Sequence, residues 1–347
     1  MSKSHFSSIQ FEVVDGHPTP VLDSTTPGAQ DILGGFEGGR VMKLDGMYHY
    51  FATERAGREG MEKYFDRIRT RLAHWRSTDG LQWERVSTLF ESTARETSGD
   101  GNGPDADRRG VLFAPMPEFD TEENVWNLFY VAYTWVRDIE PNHLHGRIWR
   151  AVSTVKGPQG YAGPYQDVGV ILQPGPESQP WEGHQGVAAF FPYRVGEKWY
   201  GFYCTAYGRG KAEIWPSGLA WAPKLAGPWT RCGLDLNPCT YIHPKFVENP
   251  VVTRIPDGRY VAVFDGGPAY LGVPGHFAYT TSEDGVHWSS AVYVDLESTV
   301  NKWWTVMRTP LCLLPEGDDI YKVFYTARVA GRFFPMGMAR LRLVLKE

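Results

Sequence analysis

The sequence predicts an all-β fold, a five-bladed β-propeller, on three observations. One aromatic strand pattern recurs five times: DGMYHYFAT (45–53), NVWNLFYVAYT (124–134), EKWYGFYCTA (197–206), DGRYVAVFDG (257–266) and DDIYKVFYTA (318–327). Each copy is preceded by an apolar run. Each is followed, after a loop, by a strand with a central alanine. Alternation with period two marks strands, and self-similarity along a chain marks a repeated supersecondary unit.

The elements follow in order from anchors at Tyr48, Trp126, Tyr200, Tyr260 and Tyr321, spaced 60 to 78 residues apart. The preceding runs GRVMKL, FAPMPEF, VAAFFPYRV, NPVVTRI and TPLCLL are the innermost strands. The third strands are RLAHWRS, IWRAVST, SGLAWAP, FAYTTS and MGMARLRL. STDGLQW (77–83) and SEDGVHW (282–288) in two blades, AGPY (162–165) and AGPW (226–229) in two others, are tight turns into a fourth strand. The last blade has no fourth strand of its own. The alternating segment IQFEVV (9–14) is expected to supply it and so close the ring without an open sheet edge. Residues 1–347 are then one domain, although length alone suggests about two. A β-sandwich with chance internal similarity is the competing architecture.

Composition suits this reading: aromatics are 14% of the chain, with 38 glycines and 25 prolines for many short strands and turns. A net charge of −5 without a basic run argues against nucleic acid as a partner. No apolar stretch approaches the roughly 18 residues of a membrane span. The start, MSKSHFSSIQ, lacks the apolar core of a secretory signal, and Cys204, Cys232, Cys239 and Cys312 show no metal-type spacing. The expectation is a cytoplasmic protein with reduced thiols; the oligomeric state is not legible.

Propeller topology places the heads of the inner strands and the loops between second and third strands on one face. Those loops are long, at 54–70, 135–146, 207–216, 266–275 and 328–335, which marks that face as functional. The heads carry Glu37 in FEGGR, FAPM at 113–116, Glu182 and His184 in WEGHQG, Glu248 in VENP and Arg308 in MRTP. Three carboxylates and an arginine at equivalent heads converge on one small volume. The plainer alternative is that they satisfy backbone N–H groups around a water-filled channel.

FAPM, VENP, the SxDGxxW and AGPW turns and the blade pattern resemble the five-bladed propeller glycoside hydrolases. The likeness is greatest to family 43, with its arabinofuranosidases and xylosidases. It covers nearly the whole chain as a pattern, through short motifs. The resemblance implies an Asp base on blade one, a Trp-Ala-Pro-Asp segment on blade two, a pKa-tuning Asp on blade three and a Glu acid on blade four. Phe113-Ala114-Pro115 matches the second of these, with Met116 in place of Asp. Glu248-Asn249-Pro250 matches the acid motif with one change. Blade one departs, with Glu37 and the upstream Asp31; blade three has Ala188 and Ala189 at the aligned place and only Glu182, His184 or Gln185 upstream.

Glycoside cleavage needs one carboxyl to protonate the leaving oxygen and another to activate water. The expected roles are Glu248 as acid, Glu37 as base and Glu182 as the neighbour that keeps the acid protonated. Asp31, His184, Arg308, Trp304 and Trp181 are the expected substrate-binding residues. Arg308 as a structural ion pair, and Trp181, Trp303 and Trp304 as core packing, are the alternatives. His143, His145 and His276 lie near the same face without ligand spacing. No cofactor is expected; the resemblance allows a channel-bound calcium that no spacing demands. Residues 58–71 read as a solvated basic insertion or a short capping helix. The substrate class is a short soluble carbohydrate, furanosides included, and the resemblance implies inversion at the anomeric carbon. Two other functions stay open: a phosphorylase or transferase drawing on Arg55, Arg58, Arg328 and Arg332, and a non-catalytic sugar-binding propeller.

Overall fold

A computed structural model describes residues 8–56, 69–97, 103–136, 144–183, 185–206, 215–236, 242, 247–265, 277–294, 296, 303–304, 306–329 and 333–346, with backbone alone at 277 and 306–308. It contains five antiparallel sheets arranged as a five-bladed β-propeller. Blade one is Phe36–Leu44, Met47–Arg55, Thr70–Ser77 and Glu84–Glu91. Blade two is Val111–Asp120, Val125–Val136, Leu144–Lys156 and Tyr165–Leu172, with the short segment Glu96–Thr97 parallel to the end of its second strand. Blade three is Ala188–Val195, Lys198–Cys204, Ser217–Ala222 and Thr230–Arg231. Blade four is Glu248–Arg254, Tyr260–Asp265, Phe277–Ser282 and Val292–Val294. Blade five is Val306–Pro310 continued by Leu314–Gly317, then Ile320–Arg328, Met336–Lys346 and, as its outermost strand, Ser8–Gly16.

The expected closure is present. Ser8–Gly16 pairs antiparallel with Met336–Lys346 from Ser8 opposite Lys346 to Gly16 opposite Ala339, with a register shift between Val13 and Asp15. Phe11 reaches across the seam, its ring 5.0 Å from Tyr279 of blade four and 5.9 Å from Tyr321 of blade five.

The aromatic anchors explain how blades stack. Phe129 of blade two lies 5.3 Å from Phe190 of blade three, whose ring meets Trp229 edge-on at 4.7 Å. Tyr48 of blade one meets Phe324 of blade five at 5.5 Å. Such pairs contribute about 0.5–1.5 kcal/mol each beyond the area they bury. The two Asp-Gly turns are built identically. Asp79 Oδ1 accepts from the backbone N–H groups of Leu81 and Gln82, and Gly80 N–H donates to Ser77 Oγ; Asp284, Val286, His287, Gly285 and Ser282 repeat the pattern. The Gly-Pro turns both hold cis peptides, Gly163-Pro164 and Gly227-Pro228.

The long-loop segments fall largely outside the described residues, as do 57–68 of the basic insertion. Arg71, read as its last residue, is in the third strand of blade one. Among the described residues no helix is long and apolar enough to cross a membrane.

Candidate active site

Every inner strand breaks register near its head by one residue. The shifts fall between Phe36 and Gly39, Phe113 and Met116, Ala188 and Phe190, Glu248 and Val251, and Met307 and Thr309. Such bulges re-aim side chains and recur beside active sites. In four blades the bulge holds a left-handed residue: Gly38 (φ 64), Ala114 (φ 51), Ala189 (φ 42) and Asn249 (φ 53). The residues just before them are Glu37, Phe113, Ala188 and Glu248. The two glutamates thus hold the same position in blades one and four, while blades two and three present apolar side chains there.

Blade one fixes Glu37 from several sides. Tyr50 donates its hydroxyl to the Gly38 carbonyl at 3.0 Å and so pins the bulge. The approach to it pairs with two strands: Gly34 N–H donates to Arg55 O, Arg55 N–H to Gly35 O, and Phe36 N–H to Phe334 O. Gly35 has φ 79, and a Cβ there would lie 2.2 Å from the Phe334 nitrogen, so only glycine allows this approach. Arg55 is buried, with Nη1 3.1 Å from Glu37 Oε2 and its guanidinium 5.0 Å from the Phe334 ring centroid.

Glu248 is half-buried at the head of blade four's inner strand and lies opposite Asp265 in the strand pair. Burial pushes the Tyr133 phenol well above its ordinary value, and the fields of Cys204, Glu248 and Glu37 push it the same way. Charges from blades one and four therefore bear on one buried hydroxyl of blade two.

The other expected residues fare differently. Glu182 has a side chain only 4% exposed; its oxygens accept from Arg231 at 2.6 and 3.0 Å and from the Tyr203 hydroxyl at 2.9 Å. It anchors the approach of blade three to its fourth strand, and this geometry spends it on an ion pair. Asp31 forms a two-pronged pair with Arg71 at 2.6 and 2.9 Å, which holds its carboxyl below the ordinary range. Trp304 is 4% exposed and donates to the Tyr325 hydroxyl at 3.2 Å, so its ring packs the core and offers no face to a sugar. Trp181 is half-buried, 5.3 Å from Tyr203 and laid over Gly218, where a Cβ would come 2.1 Å from the indole. Arg308 lies within the register shift of blade five's inner strand, and its side chain is outside the described residues, as is His184. His145 lies in blade two's third strand opposite Thr134, while His143 and His276 are outside the described residues. Among the described residues, no group of three or more His, Cys, Asp or Glu side chains is placed to hold a metal ion.

Two acids were missed in the sequence. Glu54 is fully buried and bound by Arg71, Arg85 and the indole N–H of Trp75, each at 2.8 Å. Asp265 is buried opposite Glu248. The one available signal for both was an acid among the small and apolar residues of a second strand.

No protein-family profile and no curated protein sequence matches the chain. Solved structures do. A family 117 glycoside hydrolase of the marine bacterium Zobellia galactanivorans superposes with a TM-score of 0.57 at 15% identity, over 97% of this chain and 90% of that one. The fold is shared with the five-bladed propeller glycoside hydrolases. An α-L-arabinofuranosidase of Podospora anserina, solved with cellotriose, matches with a TM-score of 0.57 at 12% identity, over 94% of this chain and 96% of that one. A β-1,2-mannobiose phosphorylase of Listeria innocua matches with a TM-score of 0.58 at 12% identity, over 96% and 97%. At these identities the propeller glycoside hydrolases share architecture with this chain; the chemistry is argued from its own residues.

Proposed function

We propose that the protein is a glycoside hydrolase acting on a small carbohydrate, with Glu248 as general acid and Glu37 as general base. The observation that carries this reading is the placement of two glutamates at the same bulge of blades one and four, both acting on Tyr133. Their surroundings divide the labour. Glu37 faces the Arg55 guanidinium, which favours the ionised form a base needs. Glu248 lies opposite an acid, which suits a group that must hold a proton until the glycosidic oxygen takes it. Water activated by Glu37 attacks the anomeric carbon, the bond to the leaving oxygen breaks, and Glu248 delivers its proton to that oxygen. The expected outcome is inversion, as the resemblance to family 43 implies. Several fold neighbours are arabinofuranosidases by name, so aryl furanosides head the substrate screen.

General acid catalysis contributes about 10²- to 10⁴-fold. Glu248→Gln should lose activity on that order with alkyl or sugar leaving groups, and far less with an activated aryl group that departs without a proton. Glu37→Gln should lose activity with both. Equal losses for Glu248→Gln on both substrate types would remove Glu248 from the acid role. Wild-type protein that binds sugars yet cleaves none would leave a binding propeller.

A phosphorylase is the second reading. Arg55 and Arg328 both lie over the Phe334 ring, at 5.0 and 5.5 Å, so two cations from blades one and five gather at this edge of the site. A sugar phosphate among the products, and turnover that needs inorganic phosphate, would favour it over hydrolysis.

A further inference from the structure

Asp265 ends the second strand of blade four and is 3% exposed. It stands five residues beyond the anchor Tyr260. The same step from the other anchors reaches Thr53, Val131, Thr205 and Thr326, all buried and all uncharged. Blade four alone places an acid there. Asp265 is also the backbone partner of Glu248. Residues directly opposite in an antiparallel pair project from the same face, with Cβ atoms about 4.5–5.5 Å apart. The Thr309 hydroxyl of blade five's inner strand lies 3.5 Å from Asp265 Oδ2, so the carboxyl stands beside that strand.

We propose that Asp265 is a positioning residue that keeps the proton on Glu248. Two carboxyls sharing one site cannot both ionise cheaply, so the charge of one favours the protonated form of the other. The inference rests on Glu248 being the general acid. It also departs from the family pattern, which puts a tuning acid on blade three. Here that head is Ala188-Ala189, and the nearby Glu182 is held by Arg231.

The groups around Glu248 bear on the sign. Blade two contributes Tyr133 and blade three Cys204; the Tyr133 phenol is held neutral by burial. Blade one contributes Glu37 with Arg55, and blade five contributes Thr309, with Arg308 in the adjoining bulge. Removing the negative charge at 265 favours ionised Glu248 whichever of these cations lies nearer, so the direction of the effect is fixed.

The test is Asp265→Thr in the full chain, with Asp265→Asn as the isosteric control. Threonine is what three other blades carry at this place, so the variant is built to fold. Two readouts are taken. One is the alkaline limb of kcat/KM against pH on a substrate with a poor leaving group. The other is the titration of the Glu248 side-chain carboxyl, followed by ¹³C NMR and assigned by its loss in Glu248→Gln. Both variants should move limb and titration to lower pH by about one unit or more. An unmoved NMR titration overturns the coupling, even where activity falls. The site assignment fails separately, through undiminished activity of Glu248→Gln on the same substrate; the NMR titration still decides the coupling in that event.

Discussion

Glu54 reaches no solvent, and both its oxygens are taken, Oε1 by Trp75 and Arg85 and Oε2 by Arg71 and Arg85. Removing the charge would leave Arg85 without its carboxylate and Arg71 with Asp31 alone, a loss of about 3–5 kcal/mol for a buried pair. Glu54→Gln should therefore lower the melting temperature sharply, and more than Glu37→Gln, whose carboxyl is 14% exposed and faces the single arginine Arg55. Equal melting temperatures for the two variants would contradict this division. A second buried pair makes stability depend on pH. His49 and His74 stack in blade one with Nδ1 and Nε2 2.9 Å apart. Burial, then the neighbouring His49 and Arg76, push His74 from 6.5 down to about 3. The folded value lies below the unfolded one, so the unfolded chain takes up the proton first. The contribution is complete above about pH 6.5 and is lost as pH falls from there toward 3. His74→Phe keeps a flat ring against Phe51, now 4.9 Å away, and should flatten the fall of melting temperature between pH 6.5 and 4. An unchanged slope would mean other groups carry the acid sensitivity.

The bulge at each strand head is the element on which the site depends. It places Glu37 and Glu248 alike, and it forces left-handed backbone on Ala114 and Ala189, which have a Cβ. That conformation costs a non-glycine residue roughly 1–2 kcal/mol. Ala189→Gly, at a head with no carboxylate, should raise the melting temperature, since relief of the clash exceeds the added chain entropy of about 0.5–1 kcal/mol. A lower melting temperature would show that the alanine methyl packs usefully there. The same elements show what could be read in advance. Strands and turns were legible because each blade repeats its pattern locally: an aromatic anchor, a central alanine and, in four blades, an Asp-Gly or Gly-Pro turn. FEGGR and VENP were legible as strand heads for the same reason. The fates of Glu182 and Asp31 were not, because their partners Arg231 and Arg71 lie 49 and 40 residues away. Trp304 failed likewise, since a tryptophan beside a strand head looks the same whether its ring faces the channel or, as here, Tyr325. Asp265 was visible only as the odd residue of a column that first needed the register of blade four.

The ring as a whole is held at one seam by a strand far in sequence from its partner. Ser8–Gly16 covers the edge of Met336–Lys346, which would otherwise present an unpaired row of backbone donors and acceptors to other chains. The seam also ties blade four to blade five. Phe11 packs between Tyr279 and Tyr321, the Tyr279 hydroxyl donates to the Ile9 carbonyl at 3.1 Å, and Asp15 pairs with Arg340. The exposed Asp15–Arg340 pair adds little, because surface ion pairs are worth about 0–1 kcal/mol. Phe11 matters more. Its half-buried ring puts Phe11→Ala at about 2 kcal/mol, below the 3–5 kcal/mol of a fully buried phenylalanine. Removing residues 1–16 should do more than the sum of these contacts, because it opens an edge as well as losing packing. The truncated chain should melt earlier and elute as larger species than the full chain, and a peptide of residues 8–16 added in excess should restore both the elution of the full chain and part of the melting temperature. The proposed site is built on strand heads of blades that the seam keeps in register, so kcat/KM should fall with truncation and return with the peptide. A truncated chain that elutes and melts like the full chain and ignores the peptide would show that the other four blade contacts close the ring unaided.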